Sequence, residues 1–383
     1  ISNSTDGASY VFASDLDGDN DMDIIAASFL GNKISWYENL DGEGDFSSEI
    51  IISNNTYGAI SVIASDLDSD GDLDIISASH NNDKVSWFKN TDGLGTFGSE
   101  IIITQNTVGV YSIYASDLDS DGDMDIVSSS YYDNKVAWFE NTNNQGDFGE
   151  EQILSTNANG AVSVFATDLD SDGDLDVISA SRNDNKICWY SNLDGNGNFS
   201  SEKIITTDLY NVSSIYTDDI NLDGDIDIIA TSWSENKVVW YKNKNVNGQL
   251  NFTDEKIIST NAQGASSIYS VDLDGDNDND ILTSASLGDK IIWFENLSIL
   301  SYNDNHLYEF SVFPNPTHGK LNIHSKTNII QTGIYNQLGQ LVLTNKNKLP
   351  VKTIDLSSVS QGIYFLKIKD EYGTIGTQKI VKN

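Results

Sequence analysis

The stretch Asp15-Leu-Asp17-Gly-Asp19-Asn20-Asp21-Met-Asp23 decides the architecture, because it returns five more times at nearly constant spacing. The copies run Asp66 to Asp74, Asp117 to Asp125, Asp168 to Asp176, Asp219 to Asp227 and Asp272 to Asp280, with first residues 51, 51, 51, 51 and 53 apart. A fixed period of this length marks stacked supersecondary units. Asp at every second position of a tight loop marks a hard cation held by oxygen, and calcium accepts six to eight such oxygens at flexible angles.

By analogy with calcium loops, positions one, three, five and nine are expected to supply side chains to the ion. In the first four copies these are Asp15, Asp17, Asp19 and Asp23; Asp66, Asp68, Asp70 and Asp74; Asp117, Asp119, Asp121 and Asp125; and Asp168, Asp170, Asp172 and Asp176. The last two copies offer Asp219, Asn221, Asp223 and Asp227, then Asp272, Asp274, Asp276 and Asp280. Asn221 keeps an oxygen but drops a charge. Position seven should give a backbone carbonyl, leaving the carboxylates of Asp21, Asp72, Asp123, Asp174, Asp225 and Asp278 to face solvent or reach the ion through water. Position six must turn sharply, and Gly71, Gly122, Gly173, Gly224, Asn20 and Asn277 are residue types that tolerate positive φ. Five carboxylates within nine residues would repel one another without a cation, so about six Ca²⁺, one per loop, are expected. An acidic hairpin turn without metal is the plainer alternative. An EF-hand does not fit, since Ala26 and Ser77 stand where its Glu belongs.

The rest of each repeat describes a blade. In the second copy Ala59 to Ala64 is an apolar run entering the loop, Leu73 to Ser79 leaves it, Lys84 to Phe88 follows a polar turn, and Glu100 to Ile103 completes a set of four. Four short strands per repeat predict an all-β chain built as a β-propeller. Trp36, Trp87, Trp138, Trp189, Trp240 and Trp293 keep the period, as do Phe46, Phe97, Phe148, Phe199 and Phe252. Repeated aromatics of this kind suit blade-to-blade packing. A Lys recurs three residues before each Trp (Lys33, Lys84, Lys135, Lys186, Lys237 and Lys290), which suggests a structural role.

These repeats resemble the FG-GAP/VCBS family, the calcium-loop propellers also found in integrin α-subunits, over about residues 1–300. The resemblance implies calcium loops and a ring commonly of seven blades, whereas six loops are visible. Ile1-Ser2 aligns with the tail of an outer strand (Ile52-Ser53), so the chain is expected to be a fragment or processed product whose ring needs residues upstream.

Composition shifts near residue 300. The repeats carry 53 acidic and 12 basic residues, the remainder 5 and 9, and all three prolines fall in the tail. This predicts a linker at 301–308 and a second domain at 309–383 forming a small Ig-like antiparallel sandwich. The tail resembles the type A C-terminal sorting domain of the type IX secretion system. Phe313-Pro-Asn-Pro-Thr-His-Gly319, Tyr335-Asn-Gln-Leu-Gly-Gln340, Asp355-Leu-Ser357, Gly362-Ile-Tyr-Phe365 and Lys379-Ile-Val-Lys-Asn383 carry that resemblance. It implies the type IX machinery as a partner, and a secreted or outer-surface location.

A net charge of −37 argues against nucleic acid and anionic membrane as partners, and no apolar run is long enough to span a bilayer. The single Cys188 excludes an internal disulfide. One position differs in every copy. Seven residues before the Trp stand Phe29, His80, Tyr131, Arg182 and Trp233, with Leu287 offered by the shorter sixth copy. This turn should lie opposite the Asp loops, beside a second variable turn holding Asp6, Tyr57, Val108, Asn159, Tyr210 and Gln263. Such residues suit sugar stacking or a protein hot spot; drift in surface turns is the plain alternative. The reading is therefore a non-enzymatic binding or adhesion module for a glycan or surface protein. A polysaccharide lyase using His80, Tyr131 and Arg182, or the accessory region of a longer enzyme, is the runner-up. Matching positions in adjacent blades are expected to lie more than about 10 Å apart, too far for concerted acid–base work.

Overall fold

The computed structural model describes residues 1–2, 5–245, 250–253, 255–276, 278–296, 310–325, 328–336, 341–346, 352–370 and 375–383. Asn277 and the expected linker at 301–308 lie outside the described residues. The chain divides into two units, Ile1–Asn296 and Leu297–Asn383.

The first unit is β-propeller-like: six antiparallel sheets in succession, each in simple strand order. In the second blade Ala59–Ser65, Asp74–Ser79, Lys84–Phe88 and Ile101–Thr104 follow one another across the sheet. Ser65 pairs with Asp74, Ile76 with Trp87, and Trp87 with Ile101. Five sheets have four strands and the sixth has three, among the described residues. The first strand of each blade neighbours the first strand of the next. Along these strands Tyr114, Phe165, Tyr216 and Tyr269 stack in sequence, with ring centroids 4.3, 4.9 and 4.9 Å apart. In the second blade the middle strands are buried on both faces, as sheets packed face to face require, whereas the third strand of the sixth, Lys290–Phe294, is largely exposed.

Three contacts repeat between blades. The indole of Trp36 lies against Gly95 of the next blade so closely that a Cβ there would sit 2.4 Å from the ring. Trp87 meets Gly146 and Trp138 meets Gly197 in the same way, so glycine is the only residue the seat admits. Phe97 and Phe199 add edge-to-face contacts at 6.3 and 6.0 Å. The second contact is an amide lock. Asn90 Nδ2 donates to the Leu16 carbonyl at 2.9 Å, Asn141 to Leu67 at 2.8 Å, Asn192 to Leu118 at 2.8 Å and Asn243 to Leu169 at 3.2 Å. Third, the side-chain oxygen of Asn32, Asp83, Asn134, Asn185 or Asn236 accepts a backbone N–H from the entry to the following blade.

Five of the six recurring lysines are tied into their blades. Lys33 pairs with Glu49 at 2.6 Å, Lys84 with Glu100 at 2.5 Å, Lys135 with Glu151 at 2.7 Å, Lys186 with Glu202 at 2.8 Å and Lys237 with Glu255 at 3.2 Å. Each ties the third strand of its blade to the start of the fourth. Cys188 is buried between such elements, and desolvation pushes its thiol well above the ordinary range.

Among its described residues the second unit has two sheets, one of Phe310–Phe313, Lys320–Ser325 and Thr353–Asp355, the other of Leu341–Lys346, Ile329–Tyr335, Gly362–Asp370 and Ile375–Lys382. Leu321, Ile354, Leu356, Leu366, Ile368 and Ile380 share one core between them. The Pro-Asn-Pro-Thr segment holds the end of the chain in place. Asn315 donates to the Lys379 carbonyl and accepts from the Val381 N–H, while the Thr317 N–H donates to the Val381 carbonyl at 2.8 Å.

Candidate functional site

Each Asp loop is organised by its own carboxylates. Position one caps the turn: Asp15 accepts from the N–H groups of Gly18 and Asn20, and Asp117 from those of Asp121 and Gly122. Position six takes positive φ, at 72° for Asn20 and between 92° and 100° for Gly71, Gly122, Gly173 and Gly224. Position four does so too. Ser69, Ser120, Ser171 and Leu222 hold φ of 54–62° there, a conformation that strains a side chain. Gly18 and Gly275, at φ of 74° and 77° in the first and sixth copies, were the available hint, and sequence reading missed it.

Position nine is stapled to the backbone. Asp23 Oδ2 accepts from the Leu16 N–H at 2.9 Å and Oδ1 from the Asn39 N–H at 2.8 Å. Asp74, Asp125, Asp176 and Asp280 make the same pair of bonds. These carboxylates join the two ends of the loop to the start of the blade's outer half. Desolvation drives Asp74, Asp125 and Asp176 up to about 7, against the downward pull of those N–H groups. At position seven, Asp21, Asp72 and Asp174 lean on Gly42, Gly93 and Gly195 of the neighbouring turn, and Asp225 accepts from the Asn245 N–H.

Positions one, three and five converge. In the sets Asp15, Asp17, Asp19; Asp66, Asp68, Asp70; Asp168, Asp170, Asp172; and Asp272, Asp274, Asp276, one carboxylate oxygen from each residue lies within 4.8 Å of the others. In the third loop the set is Asp117, Asp119 and Asp125. Buried oxygens of Asp17, Asp66, Asp68 and Asp170 have no hydrogen-bond partner. Asp119 is pushed up to about 6 by desolvation and by the charge of Asp121. Buried carboxylate oxygens that face one another without donors fit a hard divalent cation.

The fifth loop differs. Asn221 Nδ2 donates to Asp227 Oδ2 at 2.7 Å, and the Lys242 ammonium lies 2.8 Å from Asn221 Oδ1 and 2.6 Å from Asp223 Oδ2. The chain brings its own cation to the oxygens that converge in the other loops. Lys89 occupies the equivalent place in the second blade, paired with Asp68 and Asp70, where Glu38, Glu140, Ser191 and Glu295 stand in the remaining blades.

At the other end of the blades the two variable turns are hydrogen-bonded side by side. The N–H groups of Phe29, His80, Tyr131, Arg182 and Trp233 donate to the carbonyls of Gly7, Gly58, Gly109, Gly160 and Asn211. In the sixth blade it is Ser286, bonded to Gly264, that occupies this position. Leu287 falls one place later, which corrects the sequence alignment.

The expected separation of more than about 10 Å between matching positions of adjacent blades is corrected for Phe29 and His80, whose side chains lean across the gap. Phe29 and His80 rings are 6.0 Å apart, and His80 Nδ1 lies 3.0 Å from the Val110 carbonyl of the next blade. His80 further meets Tyr111 at 6.0 Å and Tyr132 at 5.4 Å, and Tyr131 meets Tyr132 at 5.3 Å and Tyr111 at 6.3 Å. The Arg182 guanidinium lies 5.4 Å from the Tyr111 ring centroid. Phe29, His80, Tyr131 and Arg182 thus join one cluster through Tyr111 and Tyr132. Trp233 stands apart, its Nε1 donating to Ser286 Oγ at 3.2 Å. Tyr111 and Tyr132 were missed by sequence reading. The signal available was an aromatic in the first strand where Ser9, Ile60, Val162, Ser213 and Ser266 stand, and the Tyr131-Tyr132 doublet.

Five overlapping matches to the FG-GAP-like repeat run over residues 15–77, 66–128, 117–179, 168–230 and 219–283. The chain belongs to the FG-GAP-like repeat family. Residues 311–383 match the Secretion system C-terminal sorting domain, so this FG-GAP-like protein is secreted or held on the outer cell surface. No helix among the described residues is long and apolar enough to cross a membrane. No curated protein sequence matches the chain.

Among solved structures, an Agrocybe aegerita lectin, described by its recognition of non-reducing terminal N-acetylglucosamine, is similar at 17% identity and a TM-score of 0.53. That match covers 90% of this chain and 84% of the lectin. The V. cholerae biofilm matrix protein Bap1 matches at 13% identity and TM-score 0.42, over 97% of this chain and 58% of Bap1. The rhamnogalacturonan lyase YesW matches at 10% identity and TM-score 0.42, over 98% of this chain and 72% of the lyase.

Proposed function

We propose that this FG-GAP-like protein is a calcium-stabilised, exported binding module that recognises a glycan on the face opposite its Asp loops. The observation that carries the reading is the continuous aromatic cluster from Phe29 through His80, Tyr111, Tyr131 and Tyr132 to Arg182. It crosses four blades at the end where the repeats cease to be alike. Tyr132 is 65% exposed and Trp233 39%, so ring faces are available for stacking on sugars. A lectin built on a similar fold supports the same reading.

Calcium's part is structural. The converging oxygens of positions one, three and five would hold it, and its charge would relieve their mutual repulsion. The expectation of one ion per loop is refined at the second and fifth, where Lys89 and Lys242 already pair with those oxygens. The type IX secretion machinery is the export partner that the sorting domain supplies.

A glycan array probed with the calcium-loaded chain, with Trp233→Ala and Tyr132→Ala run beside it, tests the proposal. A discrete sugar class whose signal falls in the variants is the expected result; a blank array moves the weight to a surface protein as ligand. A lyase is the second reading, favoured by the contact between the His80 and Arg182 neighbourhoods. If Nδ1 of His80 donates to the Val110 carbonyl, Nε2 is left as an acceptor that could take a proton. Release of an ultraviolet-absorbing unsaturated uronate, lost in His80→Ala, would establish it.

A further inference from the structure

Arg182 is the one arginine in a chain with 58 acidic residues. Among the described residues it makes no ion pair, while five of the recurring lysines each hold a glutamate. Carboxylates of its own turn and of the turn one blade earlier are already engaged: Asp184 with Lys186 at 3.3 Å and Asp133 with Lys135 at 3.2 Å. The guanidinium instead lies over Tyr111, with Nη2 donating to Tyr111 Oη at a long 3.4 Å. Its Nε is buried and has no acceptor. A guanidinium presents five donors in a planar fork, and a buried donor left without a partner is costly. In a protein this acidic, a positive fork kept clear of internal carboxylates is a place held for an external one.

We propose that Arg182 receives the carboxylate of an acidic sugar, a uronate, whose ring or neighbouring ring stacks on Tyr131 and Tyr132. The planar fork matches a carboxylate by two parallel hydrogen bonds. Tyr111 connects the charge to the stacking surface, since it touches Arg182 on one side and Tyr131 on the other. Asn183, next in the turn, accepts from Tyr131 Oη at 3.1 Å and fixes that ring beside the fork. The net charge of −37 repels long, densely charged polyanions, so the ligand class is a short or sparsely charged uronate glycan. This inference rests on the glycan reading above and adds the charge of the sugar.

Calorimetric titration of the calcium-loaded chain with oligosaccharides of galacturonate and of glucuronate, and with their methyl esters, tests it. The acid forms are expected to bind roughly tenfold or more tightly than the esters, the scale of a charge-assisted hydrogen bond. Arg182→Gln should bring the acids down to the ester level. Equal affinity for acid and ester, or an unchanged acid affinity in Arg182→Gln, overturns the carboxylate assignment. If Tyr132→Ala weakens acid and ester alike in that case, the glycan reading survives without it. Failure of every one of these sugars to bind overturns the uronate assignment, and the glycan array then decides the broader reading separately.

Discussion

The two ends of the blades obey different rules. At the Asp-loop end, six segments repeat nearly residue for residue, each with the same caps and the same buried ninth carboxylate. At the opposite end the backbone turns superimpose hydrogen bond for hydrogen bond, yet the side chains are Phe, His, Tyr, Arg, Trp and Ser. A demand that every blade must meet separately keeps the copies alike. The conserved turn geometry at the other end carries side chains free to differ, and there they touch across blades to make a single composite surface. Stability is therefore distributed over copies, whereas recognition is assembled from their differences.

Removing calcium is the largest perturbation of this contrast. Chelation should lower the melting temperature by tens of degrees, because each loop then holds uncompensated carboxylates; a melting curve unchanged in excess chelator would sink the calcium reading. Next comes a single loop. Asp176→Ala strips a fully buried acceptor from the N–H groups of Leu169 and Asn192 and should cost about 3 kcal/mol or more in denaturant unfolding.

Calcium titration probes the two loops into which a lysine reaches: four sites should fill before those of the second and fifth blades, and Asn221→Asp with Lys242→Met should bring the fifth loop level with the lysine-free four while the second stays behind. On the variable face, Trp233→Ala should reduce ligand binding several-fold while shifting stability far less than Asp176→Ala. The smallest effect is expected at Leu222, whose φ of 56° a glycine adopts without strain. Leu222→Gly should stabilise by up to about 1 kcal/mol, and a loss of stability there would mean the leucine side chain packs more than it strains.

The period, the loop turn at position six and the blade strands are legible in sequence because each depends on local chemistry repeated in register. The tail's strands are legible for the same reason, with apolar runs bounded by turn residues. What escaped reading depends on partners distant in the chain. The ninth carboxylate is buried against an N–H sixteen residues later, from Asn39 onto Asp23, and nothing in Asp-x-Asp spacing encodes that. Positive φ at Ser69 and Leu222 is imposed by loop closure rather than by residue type. The convergence of His80, Tyr111 and Tyr132 required knowing that turn side chains cross between blades.

The seat of Trp36 against Gly95 has a consequence for how such a protein can change in length. Because the indole comes from one repeat and its glycine from the next, the self-sufficient packing unit straddles two copies. Among the first four blades, duplicating or deleting one 51-residue segment leaves each junction with a tryptophan facing a glycine. Genetic recombination between copies can therefore lengthen or shorten the array without redesigning an interface, as in other repeat architectures whose units contact only their neighbours. Each added copy would bring a fresh pair of variable turns.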